Sequence, residues 1–191
     1  MMIKHRRPDV FFRLLCAVTI AVAAGAGTAA AQSSGPKTVA DFLLLVPERY
    51  MGGYDLRFRQ ELLRGEHRGV IVDIPNGYIS YDASDNPSGF EFAIFRKSDG
   101  GYLVAYSDGA FHDQEMAEEL GNWPTLLLLS YEGGRWRDVT RESLPVAYDK
   151  RLAYMLPRRG RGIAVWDGRG RRLYTLTWRN DRFRLDRGAR R

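Results

Sequence analysis

The sequence predicts an α+β chain, mostly β: an antiparallel sheet of several hairpins with one or two N-terminal helices. Three observations predict it. Helical spacing of apolar residues is confined to the stretch before Gly65. From Val70 onward, short β-type runs alternate with Gly-, Pro- and Asn-bearing turns. The last third repeats one hairpin pattern. Together they suggest about seven to nine strands in one larger sheet.

Taken in order, Thr38 can cap a helix beginning near Val39. Phe42, Leu43 and Val46 recur at helical spacing, and Pro47 ends the pattern. A second helix is read over Asp55 to Arg64, with Leu56, Leu62 and Leu63 as its apolar residues and Gly65 and Gly69 after it. Val70-Ile71-Val72-Asp73-Ile74 is a β-type run. Pro75-Asn76-Gly77 turns it, and Tyr78-Ile79-Ser80-Tyr81 runs back. Asp82 to Gly89 is a loop by composition. Phe90 to Phe95 and Tyr102 to Tyr106 pair across Lys97-Ser98-Asp99-Gly100-Gly101, with Phe90, Phe92 and Ile94 on one face and Glu91 and Ala93 on the other. Gly109 to Asn122 is acidic and reads as helical from Gln114 to Leu120.

The repeat aligns Leu129-Ser130-Tyr131-Glu132-Gly133-Gly134-Arg135-Trp136-Arg137 with Leu176-Thr177-Trp178-Arg179-Asn180-Asp181-Arg182-Phe183-Arg184, 47 residues on. A polar turn lets the aromatic before it meet the aromatic after it, and such cross-strand pairs stabilise hairpins. Hairpin turns are therefore expected at Glu132-Gly133-Gly134 and Arg179-Asn180-Asp181. Two copies are too few for a propeller, which needs at least about four blades.

Other segments carry a resemblance. Asp73-Ile74-Pro75-Asn76-Gly77-Tyr78, Glu91 to Lys97, Leu156-Pro157-Arg158-Arg159-Gly160 before Ile163-Ala164-Val165, and Leu173 to Trp178 are strand-and-turn motifs. Through them the stretch from Val70 to Phe183 resembles uncharacterised exported bacterial β-rich proteins. The resemblance implies compartment and architecture. It carries over no catalytic residue.

Export is also the reading of the N-terminus. Lys4, His5, Arg6, Arg7 and Arg13 precede an apolar run from Leu14 to Ala26, and Ala29-Ala30-Ala31 supplies a small-residue cleavage site before Gln32. That order is a secretory signal peptide. The run falls short of the roughly 20 apolar residues of a membrane span. Cys16 lies inside it after Leu14-Leu15, which argues against lipidation. Pro8-Asp9 after Arg6-Arg7 favours ordinary over twin-arginine export. The expected organisation is a signal peptide over 1–31, a linker over 32–37, one domain over 38–187 and a basic tail over 188–191. Cleavage leaves 160 of the 191 residues, enough for one core-stabilised domain.

Cys16 is the only cysteine. The exported chain would therefore hold no disulfide, cysteine nucleophile or Cys-ligated zinc. Charge is uneven. Residues 32–149 carry 11 Lys and Arg against 19 Asp and Glu, and residues 150–191 carry 14 against 3. The basic end either forms an anion-binding surface or lies against the acidic body.

Candidate chemistry is sparse. His112 with Asp113, Glu115 and Glu119 could ligate a divalent ion, although a solvated acidic helix has the same pattern. Asp82, Asp85, Asn86 and Ser88 lack EF-hand spacing and read as a loop. A Gly-x-Ser-x-Gly motif is absent. Glu91 is the best-placed single carboxylate, with an outward-facing strand position as its plain alternative. The sheet aromatics, Trp136 and Trp178 among them, either fill the core or stack on a ligand. Arg135, Arg137, Arg182 and Arg184 flank the repeated aromatics, and Arg158 and Arg159 lead a further basic cluster. Arginine forks suit carboxylate or phosphate. The expectation is a non-enzymatic exported envelope domain binding an anionic, carbohydrate or peptide component through these arginines and aromatics. No cofactor, metal, nucleic acid or transmembrane anchor is expected, and the partner is an anionic polymer or another envelope protein. Two alternatives stand beside it: an envelope hydrolase around Glu91 or His112, and a structural accessory or inhibitor module.

Overall fold

A computed structural model of the chain describes residues 35–82, 89–108 and 126–186. The expected signal peptide, the residues Asp85, Asn86 and Ser88, the acidic stretch around His112 and the basic tail lie outside these described residues.

The N-terminal helices form where they were expected. Thr38 caps α1 (Val39–Leu45) through a reciprocal box: the Asp41 N–H donates to Thr38 Oγ1 at 3.2 Å, and the Thr38 N–H donates to Asp41 Oδ2 at 2.9 Å. Val39, Phe42, Leu43 and Val46 are buried. Asp55 caps α2 (Leu56–Leu63), its carboxylate accepting from the Phe58 N–H at 2.7 Å. The apolar face of α2 differs from the expected one. Leu56 is exposed, and the core position is taken by Arg59, which is 2% exposed. Its Nη1 donates to the Leu43 carbonyl at 2.7 Å and to the Val46 carbonyl at 2.6 Å. Those carbonyls end α1, and Pro47 has no N–H to offer Leu43 from the next turn. Arg59 supplies the missing donor and binds α2 to α1.

Ten described strands follow in two antiparallel sheets, rather than the single larger sheet expected. The first is a meander of β1 (Val70–Asp73), β2 (Tyr78–Asp82), β3 (Gly89–Arg96), β4 (Tyr102–Asp108), β5 (Leu126–Glu132) and β6 (Arg135–Asp138). A short α3 (Thr140–Ser143) then leads to β7 (Ala153–Met155), β8 (Gly162–Trp166), β9 (Arg172–Arg179) and β10 (Arg182–Asp186), which form the second sheet in the order β10-β9-β8-β7.

The first sheet is covered on both faces. Ile79, Phe90, Phe92, Val104, Tyr106, Leu127 and Leu129 meet the helices. Ala93, Phe95, Leu103, Ala105, Leu126 and Leu128 meet Tyr154, Ile163, Val165, Leu176, Trp178 and Phe183 of the second sheet. Burial on both sides explains the unbroken Leu126-Leu127-Leu128-Leu129 run, which has no polar alternation.

Both repeated hairpins form, with two-residue turns. Gly133 and Gly134 have φ of 56° and 78°, and Asn180 and Asp181 have φ of 52° and 59°. Positive φ at both central residues is the hairpin turn that matches strand twist. Tyr131 lies opposite Trp136 and Trp178 opposite Phe183, with ring centroids 4.9 and 5.0 Å apart. The two copies belong to different sheets. The break between the sheets runs through α3 and Pro145, which follow β6.

Candidate functional site

The β9–β10 hairpin is fixed to the first sheet at its tip. The Ser98 N–H donates to Asp181 Oδ1 at 2.8 Å, and the Ser98 hydroxyl donates to Asp181 Oδ2. These bonds hold the Asp181 carboxyl below its ordinary range. Trp178 Nε1 donates to the Arg96 carbonyl at 3.1 Å. Lys97, beside Ser98, reaches Glu132 of the other hairpin at 3.5 Å. One turn, between β3 and β4, thus touches both hairpin tips.

Along β10, Phe183 is buried in the inter-sheet core, while Arg182 and Arg184 are exposed. Alternation sends the arginines to the outer side of the sheet. An open groove of about 560 Å³ runs beside this strand, between Arg182-Phe183-Arg184-Leu185 and Glu142-Ser143-Leu144-Pro145. Its acidic group, Glu142, is engaged by Arg137 Nη1 at 2.5 Å. Arg182 and Arg184 form no ion pair among the described residues. The groove therefore offers two unpaired guanidinium groups over an apolar floor of Leu144 and Phe183.

The expected site residues do not all converge here. Arg182 and Arg184 line the groove directly, and Arg137 reaches it through Glu142. Arg135 is exposed on β6. Trp136 is half-buried on the opposite, helix-facing side, edge-on to Phe42 at 6.1 Å. Trp178 is 4% exposed and packs against Phe95 and Phe183, so it fills core. Arg158 and Arg159 lie in the β7–β8 connection. Arg158 Nε pairs with Asp73 Oδ2 at 2.9 Å, joining the basic C-terminal part to the acidic part of the chain. Asn76 and then Arg158 hold the Asp73 carboxyl below its usual range. The far wall of the groove, Glu142 to Pro145, had no signal in the sequence.

Glu91 is not an outward-facing strand residue. It sits between the sheets, where the Tyr78 hydroxyl donates to Oε1 at 2.8 Å and the Leu156 N–H donates to Oε2 at 2.6 Å. Burial pushes its carboxyl pKa up, against the opposing pull of those two donors. Burial and the neighbouring Glu91 charge push the Tyr78 hydroxyl up as well. Cross-strand from Glu91, Ser107 donates its hydroxyl to the Tyr154 carbonyl at 2.5 Å. Both Glu91 oxygens are thus engaged in joining β2, β3 and the segment after β7. Among the described residues no group of three or more His, Cys, Asp and Glu side chains is placed to hold a metal ion, and no helix is long and apolar enough to cross a membrane. The chain matches no protein-family profile, no curated protein and no solved structure.

Proposed function

We propose that this protein is an exported, non-enzymatic domain of the cell envelope that binds an anionic component through the β10 groove. The observation that carries the reading is the pair Arg182 and Arg184: exposed, free of ion pairs among the described residues, and set on a concave surface whose acid among those residues, Glu142, is matched by Arg137. Guanidinium groups spaced two residues apart on a strand lie on one face and can fork onto successive carboxylates or phosphates. The export reading rests on the charged, apolar and small-residue order of the N-terminus.

The double variant Arg182→Glu/Arg184→Glu tests it. Retention on an anionic resin should fall sharply while thermal unfolding stays close to that of the wild type. Wild-type retention should itself weaken as ionic strength rises, because exposed charges are screened over about 8 Å at physiological salt. Arg158→Glu provides the contrast, since it opposes Asp73 and should affect stability rather than retention. Undiminished retention of the double variant would remove the β10 groove as the binding surface.

A further inference from the structure

The geometry points to a more specific ligand: an extended polypeptide segment of alternating acidic and apolar residues, added as a strand to the free edge of β10. This inference rests on the anionic reading of the same groove and names its ligand class.

Backbone parity is the first support. Among the described residues β10 pairs with β9 alone, at one end of the four-stranded sheet. In the two-residue turn, the Arg179 carbonyl accepts from the Arg182 N–H, which makes Arg179 and Arg182 a hydrogen-bonded pair. Antiparallel pairs alternate, so Arg184 opposite Thr177 and Asp186 opposite Thr175 are also hydrogen-bonded. The N–H and C=O groups of Phe183 and Leu185 must then point away from β9.

They point along the groove. Its described lining comes from Glu142–Pro145 and Arg182–Leu185, with no residue of β9, so it lies on the free side of β10. An edge strand is commonly blunted by a bulge, a proline or a covering element. Among the described residues this edge has no proline, pairs with β9 in regular register, and borders a concavity instead. An extended peptide entering it would gain the main-chain bonds of strand addition.

Side-chain alternation then sets the sequence of the occupant. On the outer face, residues of an added strand would stand beside Arg182 and Arg184, where opposite charges across a pair are favoured. On the inner face they would lie beside Phe183 and Leu185 and over Leu144 and Pro145, where apolar groups are favoured. A polysaccharide or polyphosphate could meet the arginines but could not pair with the Phe183 and Leu185 backbone in strand register.

Amide exchange tests the idea on the wild-type protein, with three probes. These are a short capped peptide of alternating Glu and Val, a peptide of the same composition with its Glu and Val in separate blocks, and inorganic polyphosphate. The alternating peptide should slow exchange at the Phe183 and Leu185 amides and bind roughly tenfold tighter than the block peptide, a difference near 1.4 kcal/mol. Arg182→Glu/Arg184→Glu should abolish that binding. Leu185→Pro removes an edge N–H at a position where proline is tolerated in a strand, and should abolish it too. Equal binding of all three probes, dependent on the arginines but without amide protection, would overturn strand addition and leave the anionic reading standing. Binding of none would overturn both. Protection of the same amides by self-association, unchanged by peptide, would assign the edge to a second copy and overturn the peptide ligand.

Discussion

Replacing Arg59 with Met probes the least expected contact in the fold. Met keeps an unbranched apolar stem and removes the guanidinium. Two buried bonds disappear, to the Leu43 carbonyl at 2.7 Å and to the Val46 carbonyl at 2.6 Å. Hydrogen bonds made by a charged group contribute roughly 1.5–3 kcal/mol each, and buried acceptors left without a donor lose their solvation as well. The pair is therefore worth roughly 3–6 kcal/mol. Burial pulls the Arg59 guanidinium down from its ordinary value, with Glu48 and Asp55 opposing. Relief of that desolvation and the added apolar contact offset about 1 kcal/mol. A net loss of about 2–5 kcal/mol is a large share of a stability that for most domains is roughly 5–15 kcal/mol. At about 2–4 °C per kcal/mol for a chain of this size, Tm should fall by roughly 4–20 °C. Urea unfolding followed by tryptophan fluorescence measures the change directly. Arg59→Lys should recover part of the loss, because an ammonium still donates but lacks the planar fork. A loss below about 1 kcal/mol for Arg59→Met would mean that the α1 carbonyls find other donors, and the account of how the helices are joined would be wrong.

Two further predictions concern the sheets. Glu91→Gln keeps an acceptor for the Leu156 N–H and removes a buried charge. The folded carboxyl has its pKa raised above the ordinary 4.5, so the fold favours the protonated form. Wild-type stability relative to the variant should be greatest below that value and decline as pH rises through the folded pKa. A difference that does not change with pH in urea unfolding would refute this. Trp136→Ala should cost about 2–3 kcal/mol, less than the 3–5 kcal/mol of a fully buried ring, because the half-buried indole still packs on Phe42 and Tyr131. A loss below about 0.5 kcal/mol in the same assay would place the ring among surface groups.

Local chemistry made much of this fold legible. Thr38 before an apolar helical pattern signalled a cap, and glycine and asparagine between alternating runs signalled turns. The repeated aromatics predicted their partners because hairpin register depends only on the turn between them. Arg59 was illegible because a charged residue on an apolar face breaks the period used to find helices, and its partners are carbonyls, which leave no mark in side-chain pattern. The division into two sheets was equally hidden, since nothing in β6 or β7 says which strand lies across from it. Glu91 was placed on the correct face, but whether that face met water depended on a second sheet more than 60 residues away in sequence. The groove followed the same rule. Arg182 and Arg184 were readable as a motif, whereas the wall that makes their surface concave comes from Glu142 to Pro145.

The two repeated hairpins differ in one respect that bears on binding. The first turns on Gly133 and Gly134. The second turns on Asn180 and Asp181, which adopt the same positive φ with more steric resistance. In exchange Asp181 holds Ser98, and with Trp178 on the Arg96 carbonyl it fastens the hairpin to the opposite sheet. The strand beside the groove is thus ordered before any ligand arrives. Association then loses little conformational entropy on the protein side, and most of the ordering cost falls on the incoming chain.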